Sequence, residues 1–392
     1  MNFGFGEEWK ELKRFKNLTE KQRSIVFYAE NKASINHFRT LISELTKEKK
    51  LQICYVTSVR NDPILSNDNE KILTFYIGDG IVRTKFFLEL KANILIMDMP
   101  DLNSFHIKRS KVFPVHYIYI FHSMFSVHSY LRTSAIDHYD TIFCVGEHHK
   151  NEILETEKIY DLKPKKIVEY GFGRLDTLLQ EKNEYQEKIK KENLVVITPT
   201  YGENNLLKIC GIELIDILLE NNFKVLLRPH FRIFKESPKL IKNISAKFQN
   251  NENFILEEGI IKPGDFHSSK CMISDWSGIS LEYAFTFERP VLYIDVPKKE
   301  LNDEVDKISL IPIEISIRNK IGYLINPKNL ETVPKIISEI DNESRTEQIR
   351  EIRSKTVFNI GKSAKIGAEY IEKILDWKKV SYLKKIFILQ SV

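Results

Sequence analysis

Short apolar runs with the character of β-strands alternate with segments of helical periodicity along most of this chain. The first runs span residues 24–29, 51–57 and 72–77, and the segments 34–47 and 83–90 place apolar side chains at helical spacing. Such alternation predicts parallel sheets covered by helices on both faces. The sequence therefore predicts a doubly wound α/β fold, in which ligands bind at the carboxyl ends of the strands.

The composition is that of an ordinary globular protein, with 42% hydrophobic and 29% charged residues. A length of 392 residues suits two domains, at roughly 150 residues or more for each. No stretch approaches the ~18 apolar residues of a membrane span, and the charged N-terminus lacks the apolar core of a secretory signal. The net charge of +5 is spread along the chain, whereas nucleic-acid binding usually requires a concentrated basic face. We therefore predict a cytoplasmic protein without a nucleic-acid partner.

Neither the cysteines nor the histidines form a metal-binding pattern. Four cysteines lie far apart, with no Cys-x-x-Cys pair, and are expected to be reduced core residues: Cys54, Cys144, Cys210 and Cys271. His148 and His149 are adjacent on a predicted helix, so their side chains point apart, and no third ligand is evident nearby. The chain also has no Asp-x-Asp triplet for a divalent cation. We predict no metal site and no cofactor.

Charge patterning divides the chain into segments. Residues 1–22 are polar and charged and indicate a loose helical leader. The mostly charged stretch 179–192 is typical of an interdomain linker or a surface helix. We predict a Rossmann-like N-terminal domain over 23–180, a second over 190–372, and a basic, aromatic C-terminal helix over 373–392.

The stretch 271–295 combines a short strand, a polar turn at 274–278, a helix carrying Glu282, and a second strand. In a parallel sheet such a turn faces the ligand crevice, and the helix N-terminus behind it favours an anion. This pattern predicts that a phosphate-bearing donor binds here. The alternative is that Asp275 and Ser277 merely cap the helix.

Three predicted strand ends in the C-terminal half carry polar groups that would share one edge of the sheet. These groups are Thr198, Thr200, Arg228, His230, Ser274, Asp275, Ser277, Gly278 and Ser280. Together they suit a diphosphate, because they supply cations, hydroxyls and backbone N–H groups.

Two of these residues, and one helix residue, have individual roles in this prediction. Arg228 can bind phosphate oxygens bidentately, and His230 can protonate a leaving phosphate. The alternative for both is an ion-paired or satisfied pair at a domain surface. Glu282 either accepts hydrogen bonds from a ribose diol or is a solvated helix residue.

The N-terminal half also offers candidates. His122 ends a strongly β-prone run at 117–123, where open sheets place ligands, whereas His37 sits inside a helix pattern. A predicted turn with Gly171, Arg174 and Asp176 follows another strand.

The order and spacing of several elements resemble the CDP-glycerol glycerophosphotransferase family, whose enzymes assemble teichoic acids and capsules. The resemblance spans roughly residues 115–375, and residues 1–110 match only at the level of fold. The elements are Gly171-x-x-Arg174-x-Asp176, Thr198-Pro-Thr200, Leu227-Arg-Pro-His230, Ser274-Asp-Trp-Ser277, Glu282-Tyr-Ala284 and Arg289-Pro-Val-Leu-Tyr293.

The resemblance implies a GT-B-like architecture of two Rossmann-like, doubly wound domains facing a central cleft, with the nucleotide held mainly by the C-terminal one. In the family a histidine of the N-terminal domain, within a His-Gly-Thr-like element, is the general base. The matching element is His122-Ser-Met124, which keeps only the histidine. The family's Arg-x-His-Pro appears as Arg228-Pro-His-Phe231, which keeps both functional side chains.

The resemblance also implies a reaction. His122 is predicted to remove a proton from an acceptor hydroxyl, whose oxygen attacks the phosphorus next to the polyol. CMP then leaves while Arg228, His230 and the helix terminus at Ser277 stabilise its charge. Gly171, Arg174 and Asp176 are predicted supporting residues. The implied partners are CDP-glycerol, or another CDP- or CMP-activated donor, and a cell-surface glycan or lipid-linked acceptor.

The basic, aromatic segment from Trp377 suggests a peripheral contact with the inner face of the cell membrane. The alternative is a terminal helix that packs back across the first domain. Two other functions also stay open: a GT-B glycosyltransferase that uses a CMP- or UDP-linked sugar in surface polysaccharide synthesis, and a non-catalytic scaffold with the same fold.

Overall fold

The computed structural model describes residues 6–185, 193–258, 263–298, 301–340 and 343–390, which fold into two compact units. The first unit comprises Met1–His122, Leu131–Asp176 and Val357–Val392, and the second comprises Ser123–Tyr130 and Thr177–Thr356. Each unit contains one sheet.

The strands of the described chain are β1 (Ile25–Ala29), β2 (Ile53–Thr57), β3 (Ile72–Tyr76), β4 (Ile94–Met97), β5 (His116–Ile120), β6 (Thr141–Cys144), β7 (Lys166–Glu169), β8 (Leu194–Thr198), β9 (Lys224–Leu227), β10 (Phe254–Leu256), β11 (Cys271–Ser274), β12 (Val291–Ile294) and β13 (Gly322–Ile325). Neighbouring strands pair in parallel, in the order β3-β2-β1-β4-β5-β6-β7 in the first unit and β10-β9-β8-β11-β12-β13 in the second. The second sheet has the strand order of a Rossmann fold, and the first has that order with one strand added. The prediction of two Rossmann-like doubly wound domains is confirmed.

The helices are α1 (Glu7–Lys16), α2 (Ser34–Ser43), α3 (Ile81–Leu88), α4 (Val127–Tyr130), α5 (Glu147–Ile159), α6 (Gly173–Tyr185), α7 (Leu206–Glu220), α8 (Phe231–Glu236), α9 (Pro238–Phe248), α10 (Pro263–Ser268), α11 (Ile279–Phe287), α12 (Ile313–Ser316), α13 (Arg318–Ile321), α14 (Val333–Ser338), α15 (Glu343–Thr356) and α16 (Ser363–Gln390). The leader helix α1 is not loose, because Leu12 and Phe15 are buried and the Phe15 ring contacts Phe75 and Phe86 edge-on. The predicted turn at 171–176 is partly wrong: α6 begins at Gly173, so Arg174 and Asp176 are helical.

The central strands are buried along their whole length, which explains their uninterrupted apolar sequences. Every residue of β1, β2, β4, β8 and β11 is buried. The strand order reverses between β1 and β4 in the first unit and between β8 and β11 in the second. Ligands of open α/β sheets bind outside the carboxyl ends of the strands at such a reversal.

The C-terminal helix α16 packs on its own unit. Its inner face joins the core of the first unit through Ala368, Ile371, Ile374 and Leu375. The Lys378 ammonium donates hydrogen bonds to the carbonyl oxygens of Asn93, at 2.7 Å, and Pro114, at 2.8 Å. Up to Lys378 the helix thus follows the packed alternative. The side chains beyond it lie outside the described residues, so membrane contact stays a prediction.

None of the helices in the described ranges is long and apolar enough to cross a membrane.

Candidate functional site

Asp275 ties together the two strand ends at the reversal point of the second sheet. Its carboxylate is buried and accepts hydrogen bonds from the backbone N–H groups of Thr200, at 2.7 Å, and Leu206, at 3.0 Å. Burial raises the pKa of Asp275 to about 6, against the lowering effect of these backbone donors. Asp275 therefore fixes the loop between β8 and α7. It is not the N-cap of α11, which is Gly278.

Two other residues predicted to bind the donor also face the interior. Ser274 is buried, and its hydroxyl donates to the carbonyl oxygen of Thr198 at 2.8 Å, which joins β11 to β8. Ser280 is buried at the start of α11. Glu282 lies in the first turn of α11 and is half-buried. The geometry gives Ser274 and Ser280 packing positions, so direct contact of either with a ligand stays a prediction.

A pocket opens at this reversal point, and all of its lining residues belong to the second unit. They are Phe125, Ser129, Tyr130, Thr200, Tyr201, His230, Trp276, Ser277, Gly278, Lys298, Leu301 and Glu314. The N-terminus of α11 lies at its wall through Ser277 and Gly278. A helix N-terminus favours anions because its first N–H groups are unpaired within the helix and its dipole is positive there.

The Trp276 side chain is fixed on both its polar atom and its ring. Its indole N–H donates to the carbonyl oxygen of Val296 at 3.0 Å, and the Arg318 guanidinium lies 4.0 Å from the ring centroid. Arg318 is itself buried and bonds Asp295 Oδ1 at 3.2 Å. A cation over an indole face contributes about 0.5–2 kcal/mol, so this contact stabilises the position of the indole at the pocket wall.

His230 lies in the pocket with a defined tautomer. It is the N-cap of α8, and its Nδ1 accepts the backbone N–H of Arg232 at 3.2 Å. In the neutral ring the proton must then be on Nε2, which can donate to a phosphate oxygen. The ring also contacts that of Tyr201 in a tilted arrangement, with centroids 4.6 Å apart.

Arg228 has a different environment from the one predicted. It is buried at the end of β9, its Nη1 lies 3.7 Å from Glu257 Oε2, and it is absent from the pocket lining. This placement matches the ion-paired alternative. Of the Arg228–His230 pair, only His230 lines the pocket.

In the first unit, His122 lies two residues past β5. Its Nδ1 is 3.1 Å from the carbonyl oxygen of Asp98, the residue that follows β4. A carbonyl only accepts, so Nδ1 carries the proton and Nε2 keeps its lone pair. Burial lowers the pKa of His122 below its usual 6.5, so the imidazole is neutral at neutral pH. These are the properties of a general base.

Asp98 and His37 complete the surroundings of His122. The buried Asp98 carboxylate accepts the hydroxyl of Ser34 at 3.0 Å, and burial raises its pKa to about 7. The His37 ring lies 6.3 Å from that of His122, and burial holds the pKa of His37 well below its usual value.

The supporting residues Gly171 and Asp176 have structural positions in the first unit. Gly171 adopts a φ of +102°, and an added Cβ would stand 2.3 Å from the carbonyl oxygen of Phe358. Asp176 accepts the N–H of Gly361 at 2.6 Å and both the N–H and the hydroxyl of Ser363, which starts α16. Asp176 thus caps the C-terminal helix.

Arg174 contributes a positive charge that lowers the pKa of His37.

Sequence reasoning missed Asp98, Tyr201 and Glu314. Asp98 ends an apolar strand run, which is the same signal that identified Asp275. Tyr201 directly follows the singled-out Thr200. Glu314 carries no local signal, since its partners lie more than 180 positions earlier in the chain.

Comparison with known proteins identifies both a family and a fold. A sequence model of the family described as CDP-glycerol:poly(glycerophosphate) glycerophosphotransferase matches residues 11–303. A search of curated protein sequences gave no match.

Solved structures with the same fold include two kinds of protein. One is the wall teichoic acid polymerase TagF soaked with CDPG, with a TM-score of 0.57, 15% identity, and coverage of 95% of this chain and 94% of that one. Another is UDP-GlcNAc 2-epimerase from Neisseria meningitidis bound to UDP-GlcNAc, with a TM-score of 0.58, 16% identity, and coverage of 89% and 99%. At these identities the likeness shows a shared GT-B-like fold.

Proposed function

The chain belongs to the CDP-glycerol:poly(glycerophosphate) glycerophosphotransferase family, and from this premise we propose that it transfers glycerol phosphate from CDP-glycerol to an acceptor hydroxyl and releases CMP. The observation that carries the proposal is the pocket at the reversal point of the second sheet. It combines a helix N-terminus, a proton-donating histidine and an aromatic wall. These features suit a nucleoside diphosphate ester.

The donor diphosphate lies against Ser277 and Gly278 in this proposal. The first N–H groups and the positive dipole of α11 stabilise its charge. Asp275 supports this arrangement from behind, since its carboxylate accepts hydrogen bonds from two backbone amides and so shapes the loop beside the pocket. Arg228 acts at longer range from its position beside Glu257.

His230 assists the leaving group. The bond that breaks joins the polyol-bearing phosphorus to the oxygen of the CMP phosphate, which carries away the electron pair. The Nε2–H of His230 donates to that oxygen as its charge develops, and the helix N-terminus offsets the remainder. The hydrogen bond from Arg232 N–H to Nδ1 keeps the donating tautomer in place.

His122 is the general base in this reaction. Its Nε2 lone pair takes the acceptor proton while the acceptor oxygen forms the new bond to phosphorus. The lowered pKa of His122 keeps the ring neutral, and the hydrogen bond to the Asp98 carbonyl fixes its orientation. The acceptor is a hydroxyl of a cell-surface glycan or a lipid-linked chain, used at the cytoplasmic face of the membrane.

A donor panel tests the proposal. Purified protein is incubated with CDP-glycerol, CDP-ribitol, a CMP-sugar and a UDP-sugar, each with a glycerol-phosphate-primed acceptor, and nucleotide release is measured. We expect CMP release from CDP-glycerol in excess of the other donors. Release from a nucleotide sugar alone would establish the glycosyltransferase alternative, and release from none would favour the scaffold.

A further inference from the structure

The segment Ser123–Tyr130 connects β5 to β6, two strands of the first unit, yet it belongs to the second unit. Three of its residues, Phe125, Ser129 and Tyr130, line the pocket. At its start, Ser123 lies against the N-terminus of α11, since a Cβ added to Gly278 would stand 2.9 Å from the Ser123 hydroxyl. The segment therefore forms one wall of the pocket, beside the helix terminus.

Glu314 holds this wall in place with both of its carboxylate oxygens. Its Oε2 accepts the backbone N–H of Ser126 at 3.0 Å, and its Oε1 accepts the hydroxyl of Ser129. Glu314 is 5% exposed, and none of the described residues forms an ion pair with it. A buried carboxylate is costly unless it is hydrogen-bonded, so these two donors are what stabilise it.

Three further hydrogen bonds attach the same segment to residues near Glu314. The Ser126 hydroxyl accepts the N–H of Ile313 at 2.7 Å. His128 Nε2 lies 3.0 Å from the carbonyl oxygen of Leu310, and Asn302 donates to the carbonyl oxygen of His128 at 2.9 Å. Several polar contacts of this kind fix the conformation of a segment that contains only one turn of helix.

We propose that Glu314 is a positioning residue of the donor site, which sets nucleotide affinity by holding Ser123–Tyr130 as a wall of the pocket. The inference rests on the proposed function, because it assumes that the pocket receives the CDP-linked donor. Loss of the anchor is therefore expected to raise the donor KM more than it lowers kcat.

The test compares Glu314→Gln and Ser129→Ala with Ser316→Ala in the full-length protein. Ser316 is a matched control because it lies on α12 with Glu314, is exposed, and donates only to the carbonyl oxygen of Ile313. Calorimetric titration with CDP should show about tenfold weaker binding for Glu314→Gln, because one of its two acceptors becomes a donor. Ser129→Ala should weaken binding about threefold, and Ser316→Ala by less than about twofold.

Hydrogen exchange, measured without nucleotide, separates a displaced wall from a misfolded protein. In Glu314→Gln the amides of 123–130, with Ser126 foremost, should exchange faster while those of β8 and β11 keep their protection. The inference would be overturned, and the proposed function left standing, if Glu314→Gln showed unchanged exchange at 123–130. The same holds if Glu314→Gln kept the parental CDP affinity and donor KM. Failure of the parental protein to bind CDP would overturn the proposed function and the inference with it.

Discussion

Asp98 and Asp275 occupy equivalent positions in the two units. Each directly follows the strand across the reversal point from the first strand of its sheet, β4 in one case and β11 in the other. Each also holds the N-terminus of the helix that follows that first strand: Asp98 through the Ser34 hydroxyl and Asp275 through the Leu206 N–H. The strand order that the two sheets share thus places a buried carboxyl at the equivalent position in each unit.

The two carboxyls differ in what surrounds them. Asp275 has two backbone donors and builds the loop beside a pocket that favours an anion. Asp98 has one hydroxyl donor, and its main-chain carbonyl orients His122. Their different partners fit the proposed roles, in which the second unit stabilises negative charge and the first supplies a neutral base.

Replacement of His122 should change the transfer rate more than any other variant, and it tests whether the first unit supplies the base while the second binds the donor. His122→Gln removes the base but leaves the pocket of the second unit unchanged, so the transfer rate should fall about 100-fold or more. CDP affinity should stay within about twofold of the parental value, since His122 is not in the pocket lining. CMP release at saturating donor and calorimetry with CDP measure the two quantities.

His106→Gln is the matched control, because His106 is an exposed histidine of the same unit. It should keep parental rate and affinity. A His122→Gln protein that retains more than about a tenth of the rate would refute the assignment of the base.

The pH dependence of the rate follows from the same residue. Because burial lowers the pKa of His122 in the free protein, the acid limb of kcat/KM should lie below pH 6.5, the usual histidine pKa. The base stays active at neutral pH and is lost only in acid.

The sequence was sufficient for the sheets and for the strand ends, because apolar runs and helical spacing report burial directly. Asp275, Ser277 and His122 were found in this way. The direction of each side chain was not predictable: Asp275 and Ser274 bond backbone groups of neighbouring segments, and Arg228 pairs with Glu257. Such choices depend on which partners the tertiary fold supplies. Glu314 shows this most clearly, since its donors come from a segment in the first half of the chain.

Two isosteric variants test whether the different hydrogen-bond donors of Asp275 and Asp98 lead to different losses of stability. Asp275→Asn leaves one backbone N–H facing an amide NH2, so the second unit should lose about 2–3 kcal/mol of stability. Asp98→Asn should cost about 1 kcal/mol or less at neutral pH, because the Ser34 hydroxyl still donates to the amide oxygen. Urea unfolding read by hydrogen exchange of each unit measures both, since chains with two units need not unfold in one step. Equal losses in the two variants would contradict the difference in donors.

The smallest expected change is in the pH dependence of the free energy of unfolding, to which Asp275 and Asp98 contribute. Burial raises the pKa of Asp275 to about 6, and burial, with the nearby charge of Glu30 adding to it, raises the pKa of Asp98 to about 7. An unfolded aspartate ionises near ~3.9, so each native carboxyl holds its proton more tightly. The stability that each native carboxyl contributes by holding this proton is therefore complete below about pH 4. It is lost as the pH rises through the pKa of the folded state.

The two windows differ, because the native carboxyl of Asp275 is half-ionised at about pH 6 and that of Asp98 at about pH 7. Between these values the parental first unit should lose stability as the pH rises, whereas Asp98→Asn, which has no proton to lose, should show a flatter profile. Asp68→Asn, at an exposed position of the same unit, should keep the parental slope. If Asp98→Asn and Asp68→Asn gave the same slope, Asp98 would not titrate between these pH values, which would contradict a folded-state pKa of about 7.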